Sequence, residues 1–464
     1  MPTLTRSTPT QLRTVVLITV VTAVGGFLFG FDNGAISGSA GFIQQRFDLG
    51  PAGLGWVTSS LIVGCVVGVV VAGRIADAIG RKKVLLGVSL LFLVGALLEA
   101  VAPSSGALVV ARILVGVGIG TETTIAPLYI AEVAPARLRG RLVSFNQLFN
   151  TVGNLVIFSV SALISHANSE AFNVSYGWRW IFAAGVVPGV VFVALLYLVP
   201  ESPRWLAKQG RTDRARAVLT RITGSVAAAD EQLATIRDSL AGERATRVRD
   251  LWVPGLRRAL VIGFGVALFQ QITGINAIFY YAPEIFQAAG TGGDGAMLST
   301  VLVGAVLVLA TLASMWLIDK VGRRMLLLVG STCMTVFLAV VGALFRHPAQ
   351  HSTILVVLVL CYVAVFAVSF GTVAYVLIAE IFPTHVRGLA ASIATFALWG
   401  GDFAVSQLFP VLIAGIGPAT TFFIFAGVSL LALVFTAALV PETKGKSLEE
   451  VERSMGVVTD PAPH

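Results

Sequence analysis

The chain has 464 residues, of which 56% are hydrophobic and only 12% charged, with a mean hydropathy of +0.87 and a formal net charge of +8. Soluble domains carry roughly 25% charged residues, so this balance excludes a core folded in water and marks an integral membrane protein. The cations fall in short loops between apolar runs rather than along one face, which excludes a nucleic-acid surface.

Apolar runs of spanning length fall near residues 14–38, 56–79, 84–102, 107–131, 142–164 and 178–199. A second set falls near 257–283, 296–319, 325–346, 353–380, 387–415 and 419–440. We expect an all-α integral membrane fold of twelve transmembrane helices in two six-helix bundles with short intracellular helices. The expected boundaries are a cytoplasmic N-terminus at 1–13, an N-terminal bundle at 14–200, an intracellular helical linker at 201–256, a C-terminal bundle at 257–440 and a cytoplasmic tail at 441–464. The first run follows a polar start ending at Arg13, holds Asp32 and lacks a small-residue cleavage signal, so it reads as a retained span rather than a signal peptide. In the linker, 213–219 and 231–240 have the pattern of short amphipathic helices.

Arg81-Lys82-Lys83, Arg137 to Arg141, the linker cations, Arg323-Arg324, Arg387, Lys444 and Lys446 share one side if the spans alternate. Both termini are then expected in the cytoplasm, with the chain multi-pass in the cell (plasma or inner) membrane. Asn173-Val174-Ser175 has the form of a glycosylation acceptor and is read as a chance match. The three cysteines, Cys65, Cys333 and Cys361, are scattered in apolar runs and imply neither a disulfide framework nor a metal site.

The halves repeat one another. Asp77-Ala-Ile-Gly-Arg81 has a counterpart in Asp319-Lys-Val-Gly-Arg323. Glu132-Val-Ala-Pro-Ala-Arg-Leu-Arg139 matches Glu380-Ile-Phe-Pro-Thr-His-Val-Arg387, and Pro200-Glu201-Ser202 matches Pro441-Glu442-Thr443. Three matches in register indicate duplication, and half-repeats in a membrane protein point to two bundles that rock about a shared central site.

One stretch concentrates polar groups at membrane depth: Phe269-Gln-Gln-Ile-Thr-Gly-Ile-Asn-Ala-Ile-Phe-Tyr-Tyr-Ala-Pro283. Uncharged hydrogen-bonding side chains there need partners in the bundle or a polar ligand in a wet cavity. Carboxamides supply a donor and an acceptor each, and phenols a hydroxyl on an apolar ring, which suits a neutral polyhydroxylated solute. Gln270 and Asn276 would lie about 240° apart on an unbroken helix. Gly274 between them offers a break that lets both point inward.

Gly73-Arg-Ile-Ala-Asp77-Ala-Ile-Gly-Arg81-Lys82, Pro200-Glu-Ser-Pro-Arg-Trp205, the tandem Gln270-Gln271 with Asn276, and Pro441-Glu-Thr-Lys-Gly445 together resemble the sugar porter family of the major facilitator superfamily, over about residues 15–450. The resemblance implies the major facilitator fold and, most like bacterial proton-coupled symporters, import of a neutral monosaccharide or polyol by alternating access. A uniporter is the alternative, and a non-transporting sugar sensor a remoter one. No enzyme activity, cofactor or metal is expected; the partners are the sugar or polyol, the proton and the lipid bilayer, with function as a monomer.

Residue by residue, the resemblance implies a conformational latch of Asp77, Arg81, Glu132, Arg139, Glu201, Asp319, Arg323, Glu380, Arg387 and Glu442; topology anchoring is the plainer alternative. Asp32, in the first span, and Arg112, in the fourth, are expected to couple a proton, since an ionised carboxylate at that depth is costly unless paired; a static ion pair is the alternative. Glu122 in the fourth span either faces the outer vestibule or takes part in proton transfer, or is a satisfied acid near the span's outer end.

For the solute, the resemblance implies Gln270, Gln271, Asn276 and Tyr280, with Gln147 and Asn154 from the N-terminal half. Trp399 is a stacking surface for a sugar or a core residue. Asp402 stands where relatives commonly have Asn, and two readings stand: a neutral acid mimicking Asn, or a solute contact. Tyr375 replaces a frequent Trp, Leu307 a common Asn and Leu398 a frequent Asn or Gln, and Gly371-Thr-Val-Ala lacks an expected proline. Each lost polar group removes a hydrogen bond worth about 1 kcal/mol, so the pocket is not expected to be a standard glucose site, with a pentose, a polyol or a less hydroxylated solute as the alternatives.

Overall fold

The computed structural model describes residues 9–133, 139–241, 254–382, 386–446 and 450, and no strand occurs among them. This follows from the composition: in hydrocarbon every backbone N–H and C=O must be paired within the protein, and a helix does so inside each segment. The N-terminal half contains α1 (Pro9–Arg46), α2 (Pro51–Ile79), α3 (Arg81–Val101), α4 (Ser105–Val133) and α5 (Arg139–Ala167). Its sixth span is built from α6 (Glu170–Phe172), a π-helical turn (Asn173–Gly177), α7 (Trp178–Ala183) and α8 (Val186–Leu198). The linker folds as α9 (Pro203–Lys208), α10 (Thr212–Thr223) and α11 (Val226–Ala241). The C-terminal half contains α12 (Pro254–Ile272), α13 (Ile275–Ala288), α14 (Gly292–Val321), α15 (Arg323–Leu344), α16 (Pro348–Val368), α17 (Phe370–Ile381) and α18 (Arg387–Leu439).

Eleven helical stretches among the described residues are long and apolar enough to cross a membrane, the last being Leu389–Leu439 with 51 residues. At 1.5 Å per residue that stretch is about 76 Å long, far more than the roughly 30 Å hydrocarbon core. Gly417, at φ 80°, followed by Pro418, breaks it into two crossings, so the spans number twelve as expected. The two amphipathic linker segments lie within α10 and α11, which pack Leu219, Ala229 and Leu233 around Trp205 and Leu206 of α9.

The chain divides into two compact units, Met1–Asn33 with Ser60–Asn154 and Trp178–Arg244, and Gly34–Ser59 with Leu155–Gly177 and Ala245–His464. In the first, small residues bring helices into backbone contact. A methyl group at Gly64 or Gly68 of α2 would run into carbonyls of α4, and one at Gly116 or Gly120 of α4 into carbonyls of α2. With no hydrophobic drive between helices in lipid, such close approach is how spans gain dispersion energy. Gly26 and Gly30 of α1 meet the carbonyls of Asn146 and Asn150 of α5 in the same way.

In the second unit the ends of α1, α2 and α5 join the C-terminal helices. Ser59 donates to Gln407 at 2.9 Å, Gln407 donates to the carbonyl of Ala52 at 3.1 Å, and Trp56 sets its ring edge on Phe403. The side chain of Asn173 is buried and donates to the carbonyl of Ser165 at 3.0 Å, a structural use of the glycosylation-like triplet. Among the described residues no cluster able to hold a metal occurs, and Cys65, Cys333 and Cys361 form no disulfide.

Candidate coupling and solute sites

Asp32 and Arg112 meet inside the first unit. Gly95 of α3 receives Val115 of α4. One turn onward along α3 is Glu99, and one turn back along the antiparallel α4 is Arg112, so the two face each other. Gly30, where α1 packs on α5, sets Asp32 against the same arginine. Arg112 Nη2 lies 3.7 Å from Asp32 Oδ2, and Nη1 lies 3.6 Å from Glu99 Oε1. Exposures are 0% for Arg112, 1% for Glu99 and 3% for Asp32. Two carboxylates and one guanidinium, all ionised, leave a buried net charge of −1; one proton on either acid makes the group neutral, the cheaper state in low dielectric.

Glu122 does not join this group. It is buried, accepts from Asn146 Nδ2 at 3.4 Å, and borders a cavity of about 10 Å³ with Gly25, Leu28, Phe92, Ile119 and Phe192. Gly25 lies seven residues before Asp32, two turns along the same face of α1.

The carboxamide stretch builds one wall of the second unit. Gly274 takes φ 100° and separates α12 from α13, the expected break, with Phe425 packed where a side chain would stand. Tyr362 donates to the carbonyl of Thr273 at 3.0 Å, satisfying an acceptor freed there. Beyond the break, Asn276 Nδ2 donates to Gln271 Oε1, so these two carboxamides do share a side. Gln270 instead donates to the carbonyl of Phe370 at 3.1 Å, at the break between α16 and α17. Tyr280 donates to Asp402 Oδ2 at 3.3 Å, and Ser406 to Asp402 Oδ1 at 3.0 Å. Asp402 and Trp399 are buried; Tyr375 has a half-exposed ring, its hydroxyl enclosed near Gln270 and Asp402.

In the other unit Gln147 is half-buried on α5. Asn154 is buried beneath Gly30, its amide donating to the carbonyl of Asn150 at 3.1 Å. Leu307 and Leu398 are buried apolar contacts, as their sequence replacements imply.

The family model described as sugar (and other) transporter matches residues 18–455. The chain belongs to this family. Its relatives include an arabinose-proton symporter of Bacillus subtilis, 42% identical over 460 residues (97% of this chain, 99% of the relative). A D-xylose-proton symporter of Escherichia coli is 35% identical, with 94% of each chain covered. The solved xylose transporter XylE from E. coli in a partially occluded inward-open conformation superposes with a TM-score of 0.84 at 32% identity, covering 94% of this chain and all of that one.

In this sugar transporter the paired corners hold the expected charges. Arg81 lies 3.2 Å from Asp77 and 3.0 Å from Glu132; Asp77 also meets Lys208 at 2.9 Å. Glu201 accepts from the backbone N–H of Lys82 at 3.1 Å, and Trp205 donates to the carbonyl of Asp77, tying the linker to the corner. Arg323 lies 3.6 Å from Asp319 and 2.9 Å from Glu380, and Glu442 accepts from the backbone of Arg323 and Arg324. The side chains of Arg139 and Arg387 lie outside the described residues, as do residues 1–8, 242–253 and 451–464.

Two acids escaped the sequence reading. Glu99 had a signal, a lone acid inside the third apolar run. Glu284, directly after Pro283, accepts a backbone hydrogen bond from Gly41 of α1; it stands one residue past the apolar run that ends at 283.

Proposed function

We propose that this family member is a proton-coupled symporter that imports a neutral monosaccharide or polyol by alternating access. The observation that carries the reading is the buried guanidinium of Arg112 held between carboxylates, Asp32 among them, which can be neutral only with a proton bound. The arabinose-proton and xylose-proton symporters among its relatives support the same assignment. Protonation of the Asp32 group from one side and release to the other is the coupled event. Gln270, Gln271, Asn276, Tyr280, Tyr375, Trp399, Asp402, Gln147 and Asn154 are the proposed solute contacts, offering donors and acceptors to hydroxyls with no fixed cation among them. The Arg81 and Arg323 corners serve as the latch, its bonds made in one state and loosened in the other by the few kcal/mol that bias such equilibria. Both termini face the cytoplasm, and the monomer is the working unit.

Purified protein in liposomes under an imposed proton gradient is expected to accumulate radiolabelled arabinose or xylose well above tenfold, and Asp32→Asn to equilibrate them only. Sugar counterflow without proton-driven accumulation by the parent would identify a uniporter and end the symport reading.

A further inference from the structure

Arg112 carries one more carboxylate than a coupling pair needs. We propose that the proton-binding centre is a three-residue group in which Glu99 of α3 and Asp32 of α1 share the guanidinium of Arg112 and hold one proton between them. This deepens the symport reading and rests on it. Glu99 takes Nη1 and Asp32 takes Nη2, so neither displaces the other, and all three residues are 0–3% exposed.

The charge count gives Glu99 its role. Asp32 and Arg112 alone are neutral when unprotonated, and a proton there would leave a bare buried guanidinium. With Glu99 the group is anionic when unprotonated and neutral with the proton, so loading removes a buried net charge instead of creating one. In the loading step a proton from water forms one O–H bond to a carboxylate oxygen of the group. In release that O–H bond breaks and the proton returns to water; no other bond changes. Where two acids interact this strongly, the proton belongs to the group rather than to one residue.

The surrounding helices supply little other charge. From α7, Arg179 donates to the carbonyls of Ala100 and Ala102 at 3.3 and 2.9 Å, beside Glu99. Near Gly30, α5 presents the backbone carbonyl of Asn150 and the side-chain amide of Asn154. Glu122 lies with Asn146 two turns away along α1. Glu99 thus shares the proton with Asp32, holds Arg112 and sets the pH range of loading.

The decisive measurement is an infrared titration of buried carboxyl groups in the detergent-solubilised full chain, paired with pH profiles of proton-driven uptake in liposomes. Glu99→Gln is expected to move the midpoint of the band lost in Asp32→Asn to lower pH by about one unit, a tenfold change in proton concentration, and to move the acid limb of uptake with it. Glu99→Asp, which keeps the charge, is expected to stay near the parent. A midpoint in Glu99→Gln equal to the parent's overturns the three-residue centre. If Glu99→Gln does not fold, Glu99→Met fills similar volume without charge and faces the same two outcomes. Absence of proton-driven accumulation by the parent defeats the symport reading alone, because the infrared midpoint needs no sugar.

Discussion

At the α2–α3 corner Arg81 donates to the carbonyl of Ala76 at 3.2 Å, and at the α14–α15 corner Arg323 donates to that of Ile318 at 3.1 Å. Gly80 and Gly322 sit before them at φ 97° and 100°, a backbone that favours glycine. Each corner is closed by an acid at the end of the second span after it, Glu132 or Glu380, and by a glutamate from a Pro-Glu pair. At mid-depth the resemblance ends. The N-terminal half buries a guanidinium and two carboxylates, while the C-terminal half buries carboxamides, phenols and Asp402, an acid whose two oxygens accept from hydroxyls. Duplication kept the edges alike and let the interiors diverge: a charged group suited to the proposed proton coupling, and a wall of neutral donors and acceptors suited to the proposed solute.

The largest test of that contrast removes the cation. Arg112→Leu leaves two buried carboxylates unpaired and is expected to destabilise the protein by about 3–5 kcal/mol, read as a lowered thermal midpoint in detergent, with accumulation lost. Removing one carboxamide on the other side should do far less. Asn276→Ala is expected to weaken sugar binding about fivefold, one hydrogen bond of about 1 kcal/mol, while leaving the pH profile of uptake in place; a moved profile would join the two sites functionally. Asp402→Asn keeps an acceptor for Tyr280 and Ser406. We expect a change in half-saturation of less than about tenfold, equivalent to 1.4 kcal/mol, with proton-driven accumulation retained; loss of accumulation would make Asp402 a second proton site.

The smallest effect lies at the corners. Burial alone would raise the proton affinity of Glu442, but hydrogen bonds from the backbone of Lys444, Arg323, Arg324 and Thr443 outweigh it and hold the carboxyl below its usual range. A group lowered on folding stabilises above the ordinary glutamate value, about 4.3, and loses that contribution as the pH falls through its folded value. Because Glu442 is partly exposed, Glu442→Gln should cost no more than about 1 kcal/mol at neutral pH, and the difference should vanish in acid. Thermal melts of Glu442→Gln and Glu201→Gln across pH would show whether the two corners remain equivalent in energy as well as in shape.

The spans, the linker helices, the repeated corners and the break at Gly274 were all legible in sequence because each is written locally. Apolar length, 3.6-residue periodicity, a glycine between carboxamides and a repeated acid-glycine-arginine spacing need no knowledge of neighbours. Glu99 was not legible in that way. It became part of the centre only when Gly95 let α4 approach α3, a fact of packing between two runs that each look merely apolar. The kink at Tyr281, with φ −131° inside α13, has a local cause in Pro283 two residues on, whereas the docking of the ends of α1, α2 and α5 on the C-terminal helices was hidden for the same reason as Glu99. Gln270 shows the reverse limit: its residue type announced a polar site, yet one of its hydrogen bonds serves a neighbouring break.

Arg112 and Glu132 ride on one helix, twenty residues or about 30 Å apart along its axis. Because α4 presses backbone to backbone against α2 through Gly64, Gly68, Gly116 and Gly120, the stretch of α4 between Arg112 and Pro127 is braced along its length. Pro127, inside α4 one turn before the Glu132–Arg81 bond, removes a rung of the helical ladder. Arg112 and Glu132 are therefore the two ends of one helix that can bend between them at the proline.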